Sequence, residues 1–187
     1  MKKILITILS VIMAMTLVAC GEKKEEVKSN NSLNKEQEVK KEEQIDLSKL
    51  ELNQENVEKS LKNLLAKSKV KIKSVNVNDT DINIQLFQEP EDEKQFLVHS
   101  SNYFTDIVIE LFKNKNVENV EFIVDSKFNN DQSEKVEARA IDYKINRDKY
   151  KEINWEDVKL KIYSQPKILY DLLESASIHP SIINNIK

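Results

Sequence analysis

The hydrophobic pattern of this chain predicts an α+β fold: a two-layer sandwich in which two β-hairpins form an antiparallel sheet with helices on one face. Three observations carry that prediction. Apolar residues recur with helical spacing, switch to a period of two, and repeat the switch once, giving the order αββαββα. Turn-forming clusters separate the members of each period-two pair. Residues 50–187 are enough for one hydrophobic core and too few for two ordinary domains or a bilobed solute receptor.

Each element has its own signature. Val57, Leu61, Leu64 and Leu65 share one face of a helix over residues 53–67, with Asn53 as N-cap and Glu55 in the first turn. The runs VKIKSVNV and INIQLF follow, separated by Asn78-Asp79-Thr80-Asp81, and read as a hairpin. Pro90 and the acids Glu91, Asp92 and Glu93 open a second helix, which buries Leu97, Phe104, Val108 and Leu111 and ends near residues 113–115. A second hairpin alternates Val120, Phe122 and Val124, turns at Asn129-Asn130-Asp131 and returns from Val136 to Ile145. Val136, Ala138 and Ala140 have one parity in the returning strand and Ile141, Tyr143 and Ile145 the other, which implies a bulge near Ala140 or burial on both faces. The last forty residues read as helical pieces: one at Arg147–Glu152, one carrying Trp155, Val158 and Ile162, one from Ile168 to Ala176 after Pro166, and a short end after Pro180.

Composition removes several functions. Twenty-nine basic residues against 32 acidic ones leave no basic footprint for nucleic acid. Gly21 is the only glycine, so neither a phosphate-cradling loop nor a nucleophile elbow can be written in this sequence. Cys20 is the only cysteine, which excludes disulfides within the chain and a zinc–thiolate cluster.

The N-terminus reads as an address. Lys2 and Lys3 precede sixteen uncharged residues, Ile4 to Ala19, the layout of a secretory signal and shorter than the roughly 20 apolar residues of a membrane span. Leu17-Val18-Ala19-Cys20 resembles the lipobox of bacterial prolipoproteins. That resemblance covers residues 1–21 and implies cleavage between Ala19 and Cys20, a signal peptide of residues 1–19, and acyl chains such as palmitate at Cys20. Two chains make a stable anchor where one binds only marginally. The expected location is the extracytoplasmic face of the cell membrane. Residues 20–49 then form a lipidated, charged tether: Glu22–Lys49 holds eight acids and seven lysines and no aromatic, too little apolar surface to fold. Farther on, Asn154-Trp155 and His179-Pro180 resemble the ending of small lipoproteins of low-G+C Gram-positive bacteria, a resemblance that carries no activity across.

The candidate sites are few. His99 and His179 are the only histidines, and no spacing between them and the carboxylates suggests a metal. Glu91, Asp92 and Glu93 suit a helix N-terminus better than a cation. Asn78-Asp79-Thr80-Asp81 suits a hairpin turn better than a calcium loop. Lys69, Lys71 and Lys73 share one face of a strand, where they protect a sheet edge or meet an anionic surface. Trp155 reads as a core anchor, and Tyr150, Tyr163 and Tyr170 mark the helical tail as the place for a partner. No catalytic residue, cofactor or metal is expected.

The sequence therefore predicts a membrane-anchored, non-catalytic envelope lipoprotein that binds a protein or polymer. Its rivals are a small-ligand carrier with an apolar pocket between sheet and helices, and an envelope hydrolase using a carboxylate pair. A deep pocket lined by Phe104, Phe122 or Trp155 would mark the carrier, two converging carboxylates the enzyme, and a filled core with shallow grooves the binding module.

Overall fold

A computed structural model of the chain describes residues 46–129 and 132–186; Ala19, Cys20 and the expected signal and tether up to residue 45 lie outside the described residues. A short 3-10 helix, Leu47–Lys49, begins the described chain, and Leu47 is fully buried, so the core reaches ahead of residue 50. Helix α1 (Gln54–Leu64) is capped by Asn53, whose side chain accepts from the Asn56 N–H at 3.0 Å. Strands β1 (Lys71–Asn78) and β2 (Asp81–Phe87) form the first hairpin, with Asp79 at φ 53° in the left-handed region that Asp tolerates. Helix α2 (Glu93–Leu111) is capped by Asp92. Strands β3 (Asn119–Asn129) and β4 (Lys135–Asn146) form the second hairpin. The tail comprises α3 (Arg147–Glu152), α4 (Trp155–Lys161), α5 (Ile168–Leu172), β5 (Ser175–Ile178) and α6 (Pro180–Ile183).

The fold is α+β, but the sheet is mixed rather than antiparallel. Its five strands lie in sequence order, and β2 and β3 pair in parallel, Ile82 with Val120 through Leu86 with Val124. The cause is α2: a helical crossover between two hairpins returns the chain to the end where β2 began, so the next strand runs the same way. A second correction concerns the tail, where the sequence predicts helix through Ala176. The chain becomes extended at Leu173, and Ser175–Ile178 adds an antiparallel fifth strand beside β4. Four residues with two apolar positions show too short a pattern for either period to dominate, and the unpaired edge of β4 decides the outcome. The parity conflict in β4 resolves as a bulge: Val124 pairs with Ile141 and Asp125 with Arg139, leaving Ala140 extra.

The core follows from parity. Ile82, Ile84, Leu86, Val120, Phe122, Val124, Ile141, Tyr143 and Ile145 are buried on one face of the sheet with Leu97, Phe104, Ile107, Val108 and Leu111 of α2 and Val57 and Leu61 of α1. Phe104 sits among aromatics, edge-on to Phe122 at 5.4 Å, Tyr143 at 5.3 Å and Trp155 at 6.3 Å. Residues of the other parity are mostly polar: Asn83, Gln85, Glu121, Asp142 and Lys144 among them.

Candidate functional site

Because β2 and β3 are parallel, their carboxyl ends meet at one edge of the sheet, the place where open sheets with helical crossovers leave a crevice. A crevice of about 460 Å³ is found there, bounded by the start of α2 (Pro90, Glu91, Glu93, Phe96), the end of β3 (Ser126 to Asn129), Lys135 of β4, and the start of α6 (His179, Ser181, Ile182). A buried cross-tie fixes its floor. Gln88, just past β2, donates its backbone N–H to Asp125 O at 3.0 Å and accepts from Ser100 Oγ of α2 at 2.8 Å. Ser126 Oγ donates to Gln88 O at 2.7 Å. Both strand ends and α2 are thus held by one amide side chain and its backbone.

His179 forms the opposite wall. Its backbone N–H donates to Ala140 O at 2.8 Å, its Nδ1 accepts from the Ser181 N–H at 3.3 Å as the cap of α6, and its ring stacks on Phe128 at 4.1 Å. A lone pair on Nδ1 requires the proton on Nε2, so the neutral ring is the capping form. Glu91 meets His99 Nδ1 at 2.7 Å, and Glu93 Oε1 accepts from Asn185 Nδ2 at 3.4 Å. The two histidines serve separate elements, and among the described residues no group of three His, Cys, Asp or Glu side chains is arranged to hold a metal.

The polar face of the sheet is a lattice of ion pairs. Lys73 binds Asp125 at 2.7 Å and also Glu137, and Gln85 Nε2 donates to Asp125 at 2.6 Å. The hydrogen bonds it donates to Asp125 and then to Glu137 raise the Lys73 ammonium above its ordinary range. Lys144 pairs with Glu121 at 2.7 Å across β3 and β4, holding the Glu121 carboxyl low and itself raised. Arg139 pairs with Asp142 at 2.9 Å. A second hollow, about 310 Å³, lies at the far end of this sheet among Asp81, Asn83, Asn119, Glu121, Lys144 and Glu174.

All three strand lysines are exposed. A bulge between Ile72 and Ser74 sets Lys73 into its ion pairs, Lys71 leans over the Phe87 ring at 5.9 Å, and Lys69 precedes β1. Trp155 is buried and donates Nε1–H to Tyr150 O at 3.0 Å. Neither crevice is lined by Phe104, Phe122 or Trp155, which instead pack on one another.

No family model, curated protein or solved structure matches this chain. Among the described residues no helix is long and apolar enough to cross a membrane. Sequence reasoning finds His179 as a cap and Glu91 to Glu93 as a helix start, but misses the Gln88–Ser100–Ser126 tie. Its members are twelve and 38 positions apart, and nothing in a local window links them.

Proposed function

We propose that the chain is a lipoprotein anchored at Cys20 on the extracytoplasmic face of the membrane, whose α+β domain is a non-catalytic module binding a protein or polymer of the cell envelope. We read the domain as a two-layer sandwich, with α1 and α2 against the apolar face of the sheet and the ion-pair lattice on the other. The observation that supports a binding module is the Phe104 cluster: aromatic rings occupy the space between sheet and helices where a carrier would hold its ligand. The open crevice by His179 and Phe128 supplies a firm-floored surface with aromatic, acidic and basic groups for a partner.

The test is site-directed. A photo-crosslinking residue at Glu93 or Ser181, in the intact chain in its native envelope, should give one reproducible adduct that is absent when the same residue stands at Lys62 on α1. Equal labelling from all three sites, or hydrolysis of cell-wall fragments by the purified protein, would refute the reading. Palmitate incorporation lost in Cys20→Ala checks the anchor separately.

A further inference from the structure

We propose that the α4–α5 segment is a second membrane contact, an apolar patch flanked by lysines that rests on an anionic lipid surface; this builds on the anchored lipoprotein reading above. Leu160, Tyr163 and Tyr170, at 79%, 64% and 47% exposure, are the three most exposed large hydrophobic side chains among the described residues. Trp155, Val158 and Ile162 recur at i, i+3 and i+7 and take the core side of α4. Leu160, two residues past Val158, is turned about 200° from it, and Tyr163 follows Leu160 at i+3 on the same outer side.

Lysines sit next to the exposed apolar side chains. From Val158 to Tyr170 the chain carries Lys159, Lys161 and Lys167, with Glu156 and Asp157 before this stretch and Asp171 after it. Lys159 and Lys161 are engaged by Asp106 and Asp157, each at 2.6 Å, but these are half-exposed surface pairs of the kind that contributes little and exchanges readily for lipid phosphate. Leucine enters the acyl boundary, tyrosine favours the headgroup level, and lysine reaches anionic headgroups.

Position supports the same occupant. Asn114, at the end of α2, donates to Leu47 O at 3.0 Å and Leu50 O at 2.9 Å, so the chain arriving from the tether is fastened there. The Asn114 carbonyl accepts from Arg147 Nη2 at 2.6 Å, and Arg147 opens α3. Tyr150 of α3 stacks on Phe112 at 4.4 Å and on Trp155, the first residue of α4, at 5.4 Å. The end of the domain that receives the tether is therefore the end from which α4 departs, and a seven-residue helix is only about 10 Å long. The tether expected from the sequence would hold the domain at an effective concentration on the order of mM, so a patch with an intrinsic Kd near mM would be engaged about half the time.

The test supplies the anchor chemically. The mature chain from Cys20, coupled through that thiol to a maleimide-bearing lipid, is placed in vesicles of phosphatidylcholine with or without phosphatidylglycerol. Tyr163→Trp puts an indole on the patch, and the wild type, whose sole indole Trp155 is buried, is the control. Bromine-labelled acyl chains should quench the Tyr163→Trp protein at least twofold more than the wild type. The excess should vanish with added Leu160→Asp and shrink at least twofold without phosphatidylglycerol, with far-UV circular dichroism unchanged. Equal quenching in all proteins while they remain in the vesicle fraction overturns the patch. So does protection at residues 158–170 that appears only when another envelope protein is added. Failure of palmitate labelling at Cys20 would count against the anchor alone, because the coupled protein reads the patch without it.

Discussion

Single residues join distant parts of this domain, and their chemistry sets their cost. Asn114 is almost fully buried and donates to two carbonyls of the incoming chain while its own Oδ1 accepts from the Asn116 N–H. Asn114→Ala leaves both carbonyls without that donor, so a loss of about 1–3 kcal/mol is expected in urea unfolding. Tyr143 behaves oppositely. Its hydroxyl and that of Ser101 are buried without a well-formed hydrogen bond, and burial pushes the phenol well above its ordinary 10.0, with Ser101 offsetting this slightly. Removing both hydroxyls in Ser101→Ala/Tyr143→Phe should therefore be neutral or stabilising, within about 1 kcal/mol. The raised phenol also fixes a pH dependence. Its protonated form contributes full stability below pH 10, and that contribution is lost as pH rises through and beyond the unfolded value. Alkaline unfolding of Tyr143→Phe, followed by far-UV circular dichroism, should begin at higher pH than in the wild type.

At the scale of elements, an ion pair ties together the two strands of the second hairpin. Glu121 and Lys144 pair across β3 and β4 on the polar face. The lowered Glu121 carboxyl contributes stability above its ordinary 4.5, and this is lost as pH falls through the folded value. The raised Lys144 contributes below 10.5 and loses it as pH rises past that value. Glu121→Gln should flatten the acid limb of stability between about pH 5 and 3 while changing neutral stability by under about 1 kcal/mol, since Lys144 is half exposed; urea midpoints across pH check it. Both hairpins and α1 and α2 were legible in the sequence because their apolar residues keep one period over a full element, and the β4 parity break already pointed to Ala140. The parallel union of β2 with β3, and β5, were not legible. Pairing between strands separated by a helix depends on the path of that helix, and a four-residue edge strand depends on the strand it covers.

For the whole molecule, the deciding feature is what fills the space between sheet and helices. A carrier needs an apolar volume there, and Phe104, Phe122, Tyr143 and Trp155 occupy it ring against ring. The crevice instead opens at the carboxyl ends of β2 and β3, a location that only the parallel pairing creates, which is why its parts were visible in the sequence and their assembly was not. Individual rings read as core, Glu91 to Glu93 as a helix start and His179 as a cap, yet Phe128 meets His179 only once β5 has joined β4. The filled core makes a distinction between carrier and module measurable. A ligand that binds only the folded state raises the thermal midpoint by mass action, so fatty acids or small aromatic compounds should leave the wild-type midpoint unchanged. Phe104→Ala removes the central ring, costs about 3–5 kcal/mol and leaves an apolar void of the kind that accepts benzene. Benzene should therefore raise the midpoint of Phe104→Ala and not that of the wild type. A wild-type midpoint that climbs with added fatty acid would mean that the core opens to an apolar ligand, and would put the carrier ahead of the binding module.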